Sequence, residues 1–215
     1  MSSITTSEIN SSSSISKTAV TKVVLFFIWP ALSLFWSLMT YRSKVSRLLV
    51  YGFCIFYGFT FVISNKEMDA ERYMRYLEKL AMEKGLGLSL FEYLNQPNGT
   101  DITLTSVTYF VSRFTDNYSF LFSVFAIIFG FFYLRNVNSL FHELKKTRNI
   151  NGIIFLIFFA FLVPIFDINA FRFWTATWVF FYGAYNYLVS EKKRWLIFSA
   201  LACVVHFSFM MGNAV

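Results

Sequence analysis

FLFSVFAIIFGFFYL, residues 120–134, is the stretch on which the fold of this chain turns. It lies in a charge-free interval, 117–134, of the roughly 18 residues that a helix needs to cross the hydrocarbon core of a bilayer. In hydrocarbon every backbone amide must be satisfied within the protein, so a spanning segment is a helix or a strand of a closed barrel. Barrel strands run to about ten residues and alternate in polarity. This run is continuously apolar, so the helix wins. Five comparable intervals surround it when His is taken as neutral: 23–41, 49–65, 149–166, 173–190 and 195–215.

The composition points the same way. The 215 residues are 56% hydrophobic, 21% aromatic and only 14% charged, against about 25% charged in soluble domains. With 29 Phe and 12 Tyr, a soluble enzyme, a disordered chain and a nucleic-acid binder are poor readings despite the net charge of +7. The expectation is an all-α, polytopic integral membrane protein of about six transmembrane helices, near 23–41, 48–65, 117–134, 149–166, 173–190 and 195–213. A polar, Ser-rich disordered tail is expected over 1–22 and an external segment over 66–116, with 23–215 as the membrane domain. Cys54 and Cys203 fall inside apolar runs, where cysteine acts as a small hydrophobic filler.

Lysine and arginine set the orientation. Arg42, Lys44 and Arg47, then Arg135, Lys145, Lys146 and Arg148, then Lys192, Lys193 and Arg194 occupy alternate connections, accompanied by Glu143 and Glu191 alone. The positive-inside bias puts that side in the cytoplasm, with the N-terminus outside. Segment 66–116 falls outside and carries eight acids against six bases. Ser64-Asn65-Lys66-Glu67 has the spacing of a capping box. Behind it Tyr73, Leu77, Leu80 and Ala81 share one helical face and Glu71, Arg75, Glu78 and Lys79 the other, an amphipathic helix suited to the outer interface. Gly85 and Gly87 end it, and Gln96-Pro97-Asn98-Gly99 reads as a turn. Ile102–Ser112 is apolar but too short to span, and suits an interfacial or re-entrant position. The sequons at Asn98 and Asn117 are incidental in a bacterial protein.

No soluble-enzyme motif is present, so chemistry must come from ionisable groups at or inside the membrane, where charge is costly and is a functional suspect by default. Arg172 opens the helix over 173–190; its guanidinium suits bidentate binding of a phosphate or diphosphate. The plain alternative is an interfacial arginine paired with Asp167. His206 lies ~18 Å along the last helix by helical rise, either packed and hydrogen-bonded or serving as a base or hydroxyl-orienting donor. Asp69, with Arg72 at i+3 and Tyr73 at i+4, is either a first-turn helix acid or a carboxylate facing a sugar or hydroxyl. All three positions fall in the outer half under an orientation drawn from Lys and Arg alone.

Three motifs then carry a family resemblance: Met68-Asp69-Ala70-Glu71-Arg72-Tyr73 after the second helix, Asn169-Ala170-Phe171-Arg172 opening a helix after an external turn, and His206-Phe207-Ser208 on the following helix. In their order and spacing the chain resembles the EpsG family of bacterial exopolysaccharide and capsule biosynthesis proteins, related in role to Wzy-type oligosaccharide polymerases. The resemblance covers about 65–210. It implies polymerisation of undecaprenyl-diphosphate-linked oligosaccharides on the outer face of the inner membrane, as in exopolysaccharide, capsule or O-antigen synthesis. It implies no metal or cofactor, because the lipid diphosphate is itself the leaving group. The roles implied are Arg172 and His206 as catalytic residues and Asp69, Arg72, Tyr73 and Asn169 as substrate contacts, with a flippase or chain-length regulator as partner.

The chain departs from that family in lacking a Gly-rich lead into the acidic motif. It also stops at Val215, where family members continue with further helices, so the expectation includes an N-terminal half of such a protein, active or inactive. The competing class is a non-enzymatic transporter or accessory subunit. Transport favours helices broken near the midplane in both halves, and only Pro30 and Pro164 interrupt the apolar runs.

Overall fold

The computed structural model describes residues 6–63, 69–87, 89–95, 102–147, 151, 154 and 165–210; side chains at 6–16, 86, 144–147, 165, 167 and 169 lie outside the description. The described residues are helical, with no strand among them. They divide into two compact units, Met1–Cys54 and Ile55–Val215.

The first unit departs from the expected tail and single helix over 23–41. Helix α1 already begins at Thr6 and runs to Ile28, and α2 covers Pro30–Met39. No Gly or Pro interrupts 6–28, and Ser and Thr in a helix each cost well under about 1 kcal/mol relative to Ala, so a polar composition alone does not prevent helix. Thr21 Oγ1 donates back to the Lys17 carbonyl at 2.9 Å.

The break at 29–30 has a direct cause. Proline has no N–H, and its ring pushes the preceding residue out of helical geometry; Trp29 takes φ −145°, ψ 85°. The chain turns back there, so that Ser33 Oγ donates to the Lys22 carbonyl at 3.0 Å. Lys22 itself is buried. Its ammonium donates to Thr40 Oγ1 at 2.5 Å and Ser46 Oγ at 3.0 Å, and sits 5.5 Å over the Trp36 ring. Helix α3 starts at Lys44, capped by Ser43 Oγ accepting from the Ser46 N–H at 3.0 Å, and ends at Thr60 rather than 65.

In the second unit, α4 spans Asp69–Met82. Tyr73, Leu77 and Leu80 are buried as the expected face requires, while Ala81 is half-buried. Glu71, assigned to the polar face, is 7% exposed, because Arg75 at i+4 folds over it with an N–O distance of 2.6 Å. The apolar face of α4 packs on other helices of this chain, chiefly α6 (Ile102–Ser112), rather than lying unpartnered. A 3-10 turn over Glu83–Leu86 closes at Gly87, whose φ of 68° is left-handed and suits glycine. The expected capping box at Ser64–Glu67 and the turn at 96–99 fall largely or wholly outside the described residues. A capping box does occur at Ser89–Glu92, opening the short α5 over Leu90–Leu94.

The deciding stretch lies in α7, Tyr118–Thr147, which runs past the expected end at 134 because nothing after Gly130 breaks a helix. Its segment Tyr118–Glu143 is, among the described residues, the one helix long and apolar enough to cross a membrane by length and composition. The helix expected over 149–166 lies almost entirely outside the described residues. A 3-10 segment, Ile165–Ala170, leads into α8 at Phe171–Ser190, two residues ahead of the expected start. The last helix, α9, runs from Leu196 only to Val205, so the expected helix over 195–213 stops at His206.

Helices α8 and α9 meet closely. A Cβ added at Gly183 would lie 2.4 Å from the Ser199 amide nitrogen and 2.8 Å from the Trp195 carbonyl oxygen, so only glycine permits this approach. Ala176, Val179 and Ala202 form the buried centre of this seam, with Phe132, Phe180, Val205 and Phe209 packed around it. Between α7 and α8, the fully buried Asn136 donates from Nδ2 to the Trp178 carbonyl at 2.8 Å.

Candidate functional site

Arg172 is the centre of the site. It occupies the first turn of α8, immediately after Phe171, which is fully buried. The Phe171 ring stacks on Phe125 of α7 with centroids 4.0 Å apart, and Phe125 meets the Tyr73 ring edge-on at 5.8 Å. This aromatic row brings together α4, α7 and α8. It also sets the guanidinium beside Tyr73, 99 positions earlier: Arg172 Nε donates to Tyr73 Oη at 2.9 Å, and its central carbon lies 5.5 Å from that ring's centroid. The outer Nη2 stands 3.8 Å from Asp69 Oδ2. Tyr73 is 2% exposed, so its hydroxyl is a fixed acceptor.

Asp69 is shared between two cations. Its Oδ1 lies 2.7 Å from Arg72 Nη2, an i,i+3 pair whose arginine is 75% exposed. Arg72 therefore sits on the outer surface of the trio, while Arg172, with 24% of its side chain exposed, sits inside it. Asn169 lies in the 3-10 segment just before α8; its side chain lies outside the described residues. The same holds for Asp167, the alternative partner considered for Arg172.

Arg172 and His206 line one cavity of about 490 Å³, completed by Ile102, Cys203, Val204, Val205, Phe207 and Met210. That volume falls within the roughly 300–1,000 Å³ of ligand sites, and its character, apolar walls with few polar groups, is theirs too. His206 is not on a continuous helix as expected. The backbone there is extended, at φ −152° and ψ 121°, and the ring is half-buried. A local cause is visible: Thr103 Oγ1 of α6 donates to the Val204 carbonyl at 3.1 Å, occupying an acceptor at the end of α9. The Phe173 ring meets the imidazole edge-on at 5.5 Å, and Nδ1 faces the Ser208 N–H at 3.4 Å.

The six expected residues thus fall into two groups. Asp69, Arg72 and Tyr73 gather behind Arg172, and His206 faces the same cavity as Arg172. Cys203, read from sequence as a filler, lines the cavity instead; its position three residues before His206 was the available signal. Ile102 and Met210 were not singled out, and nothing in their local sequence distinguishes them. Among the described residues no group of three His, Cys, Asp or Glu side chains could hold a metal ion. A second cavity, of about 350 Å³ beside Glu78, Lys84 and Asp116, contains none of the six.

No protein-family model matches this chain, and neither the curated proteins nor the solved structures contain a match.

Proposed function

We propose that this chain acts on a lipid-diphosphate-linked oligosaccharide as a polymerase, or as the N-terminal half of one, in a bacterial inner membrane it crosses several times. The observation that carries the reading is Arg172, held by a buried tyrosine and set in a largely apolar cavity with one imidazole. An amphipathic ligand with an anionic head fits such a lining: the guanidinium meets the diphosphate and the apolar wall meets its lipid. The charge-free intervals support the multi-pass placement, and the cation-rich connections support a cytoplasmic side opposite the site. The turn at Trp29-Pro30 returns α1 toward Thr40 and Ser46, so the N-terminus is assigned to the side of Arg42, the reverse of the orientation drawn from the first apolar run.

In this reading an acceptor sugar hydroxyl attacks the anomeric carbon of the donor. The new glycosidic bond forms as the bond from that carbon to the diphosphate oxygen breaks. His206 takes the hydroxyl proton, and the leaving lipid diphosphate carries off the bonding pair. Arg172, already oriented by Tyr73, meets the charge that grows on that oxygen; preorganised donors of this kind are typically worth ~3–4 kcal/mol. No metal enters the scheme.

The test is the polysaccharide ladder of a deletion strain carrying this chain. Restored long chains, lost again with Arg172→Lys, are the expected result, since a point charge does not replace the planar fork. A ladder that ignores both the deletion and the substitution would refute the polymerase. It would favour the second reading, a transporter or accessory subunit, for which the helix interruptions at Trp29-Pro30 and His206 speak.

A further inference from the structure

The arrangement around Asp69 contains one negative group for two positive ones. Arg72 Nη2 lies 2.7 Å from Oδ1 and Arg172 Nη2 lies 3.8 Å from Oδ2, so a single carboxylate bridges two guanidiniums and one positive charge is left over. The two contacts are unequal. The first is a short ion pair on an exposed arginine; the second is too long for a hydrogen bond. Pairs this exposed add little to stability. Arg172 is held elsewhere: its Nε donates to Tyr73 Oη at 2.9 Å, and that ring is buried. The outer nitrogen can therefore change partner while Nε keeps its own.

We infer that Asp69 is an internal stand-in for the ligand's anion. Its carboxylate bridges Arg72 and Arg172 in the empty site and is displaced when a diphosphate arrives to be gripped by both. The inference rests on the anion-binding reading of Arg172 and goes beyond it in two ways. Arg72 becomes a second arm of the clamp rather than a sugar contact. Asp69 becomes a competitor whose removal tightens binding rather than a contact whose removal weakens it. A carboxylate suits this task because it is planar and bidentate toward guanidinium, as a phosphate is. It also carries less charge than a diphosphate, so the exchange favours the ligand. The stand-in keeps two like charges together while the site is empty and sets a threshold that weakly charged anions do not pass.

The sign of one measurement decides the matter. The full chain, in lipid nanodiscs, is titrated with inorganic pyrophosphate by calorimetry. Asp69→Asn is expected to bind about fivefold more tightly than the unsubstituted chain, the equivalent of a surface ion pair at the top of its usual range. Asp69→Glu, which keeps the charge, should stay within about twofold. Arg72→Gln should weaken binding, and Arg172→Gln should abolish both binding and the gain from Asp69→Asn. Should Asp69→Asn fail to elute as a folded species, Asp69→Ser, with a hydroxyl still available at the start of α4, takes its place. Unchanged or weaker binding by both neutral variants, with Arg172→Gln still abolishing it, would overturn the stand-in while leaving the anion site intact. Equal binding by Arg172→Gln, or no binding by the unsubstituted chain, would remove the anion site and the inference together.

Discussion

Gly183→Ala separates two opposing effects of known size. Replacing a mid-helix glycine by alanine ordinarily stabilises by about 1 kcal/mol. Here the new methyl would lie 2.4 Å from the Ser199 nitrogen, 2.8 Å from the Trp195 oxygen and 3.1 Å from the Phe198 carbonyl carbon. All three are main-chain atoms, which cannot rotate out of the way. Restoring an ordinary contact of 3.4 Å to the nearest of them requires α9 to retreat from α8 by 1.0 Å, the difference from 2.4 Å. Overpacking of this kind costs about 1–3 kcal/mol. The clash therefore outweighs the propensity gain, and the net expectation is a loss of about 1–2 kcal/mol, or about 2–8 °C in midpoint for a chain of this length.

The displacement also reaches the site, because α9 hands directly to His206. A misplacement of about 1 Å at a catalytic group can cost about a hundredfold in rate. Thermal unfolding followed by intrinsic fluorescence measures the first effect. Gly85→Ala, where nothing lies within 4 Å, is the control. A Gly183→Ala protein that unfolds at or above the midpoint of the unsubstituted chain would show that the α8–α9 seam is not closed by this glycine, and would refute the reasoning.

Three further outcomes follow from other residues. Tyr73→Phe removes the hydroxyl that accepts from Arg172 Nε and leaves the ring in its packing; a hydrogen bond to a charged group is worth about 1.5–3 kcal/mol, so pyrophosphate affinity should fall by at least about tenfold with the unfolding midpoint almost unchanged. Lys22→Met should raise stability, since residues 1–54 hold no acid but Glu8; Thr40 Oγ1 retains the Trp36 carbonyl at 2.7 Å and Ser46 Oγ retains Ser43 at 2.8 Å, and a lower midpoint in thermal unfolding would contradict this. The Glu92 carboxylate is held below its ordinary 4.5, first by the Ser89 N–H and then by the Ser89 hydroxyl. A depressed acid stabilises the fold above its unfolded pKa and loses that contribution as pH falls through the lowered folded value. Amide protection across Leu90–Leu94 should therefore be full above pH 4.5 and decline only below it, and protection insensitive to pH there would rule out the cap.

The helical class was readable because the charge-free intervals are long and lack alternation, and α8 illustrates it: the interval 173–190 lies within Phe171–Ser190. Helix ends were less readable, for reasons that differ from residue to residue. Pro30 was visible, but its effect depends on whether a partner satisfies the turn, and here the returning Ser33 bonds the Lys22 carbonyl at 3.0 Å. Nothing local announces the end of α9 at Val205, since the hydroxyl that engages the Val204 carbonyl belongs to Thr103, 101 positions away. For the site, the sequence supplied the group types and the shared side of the membrane. It did not supply the aromatic row through Phe125, nor the division of Asp69 between two arginines, because both depend on packing between elements far apart in the chain. Glu71 shows the limit of face assignment: a polar position became buried once Arg75 covered it.

The Tyr73–Arg172 bond has a consequence for synthesis. It spans 99 positions, and at about 5–20 residues per second a ribosome needs about 5–20 s to add them. Throughout that interval Asp69 has emerged with Arg72 as its near neighbour and without Arg172, and Phe125 has emerged without Phe171. The pocket is therefore a late product of translation, and the local pair on α4 holds the carboxylate until the second guanidinium is made.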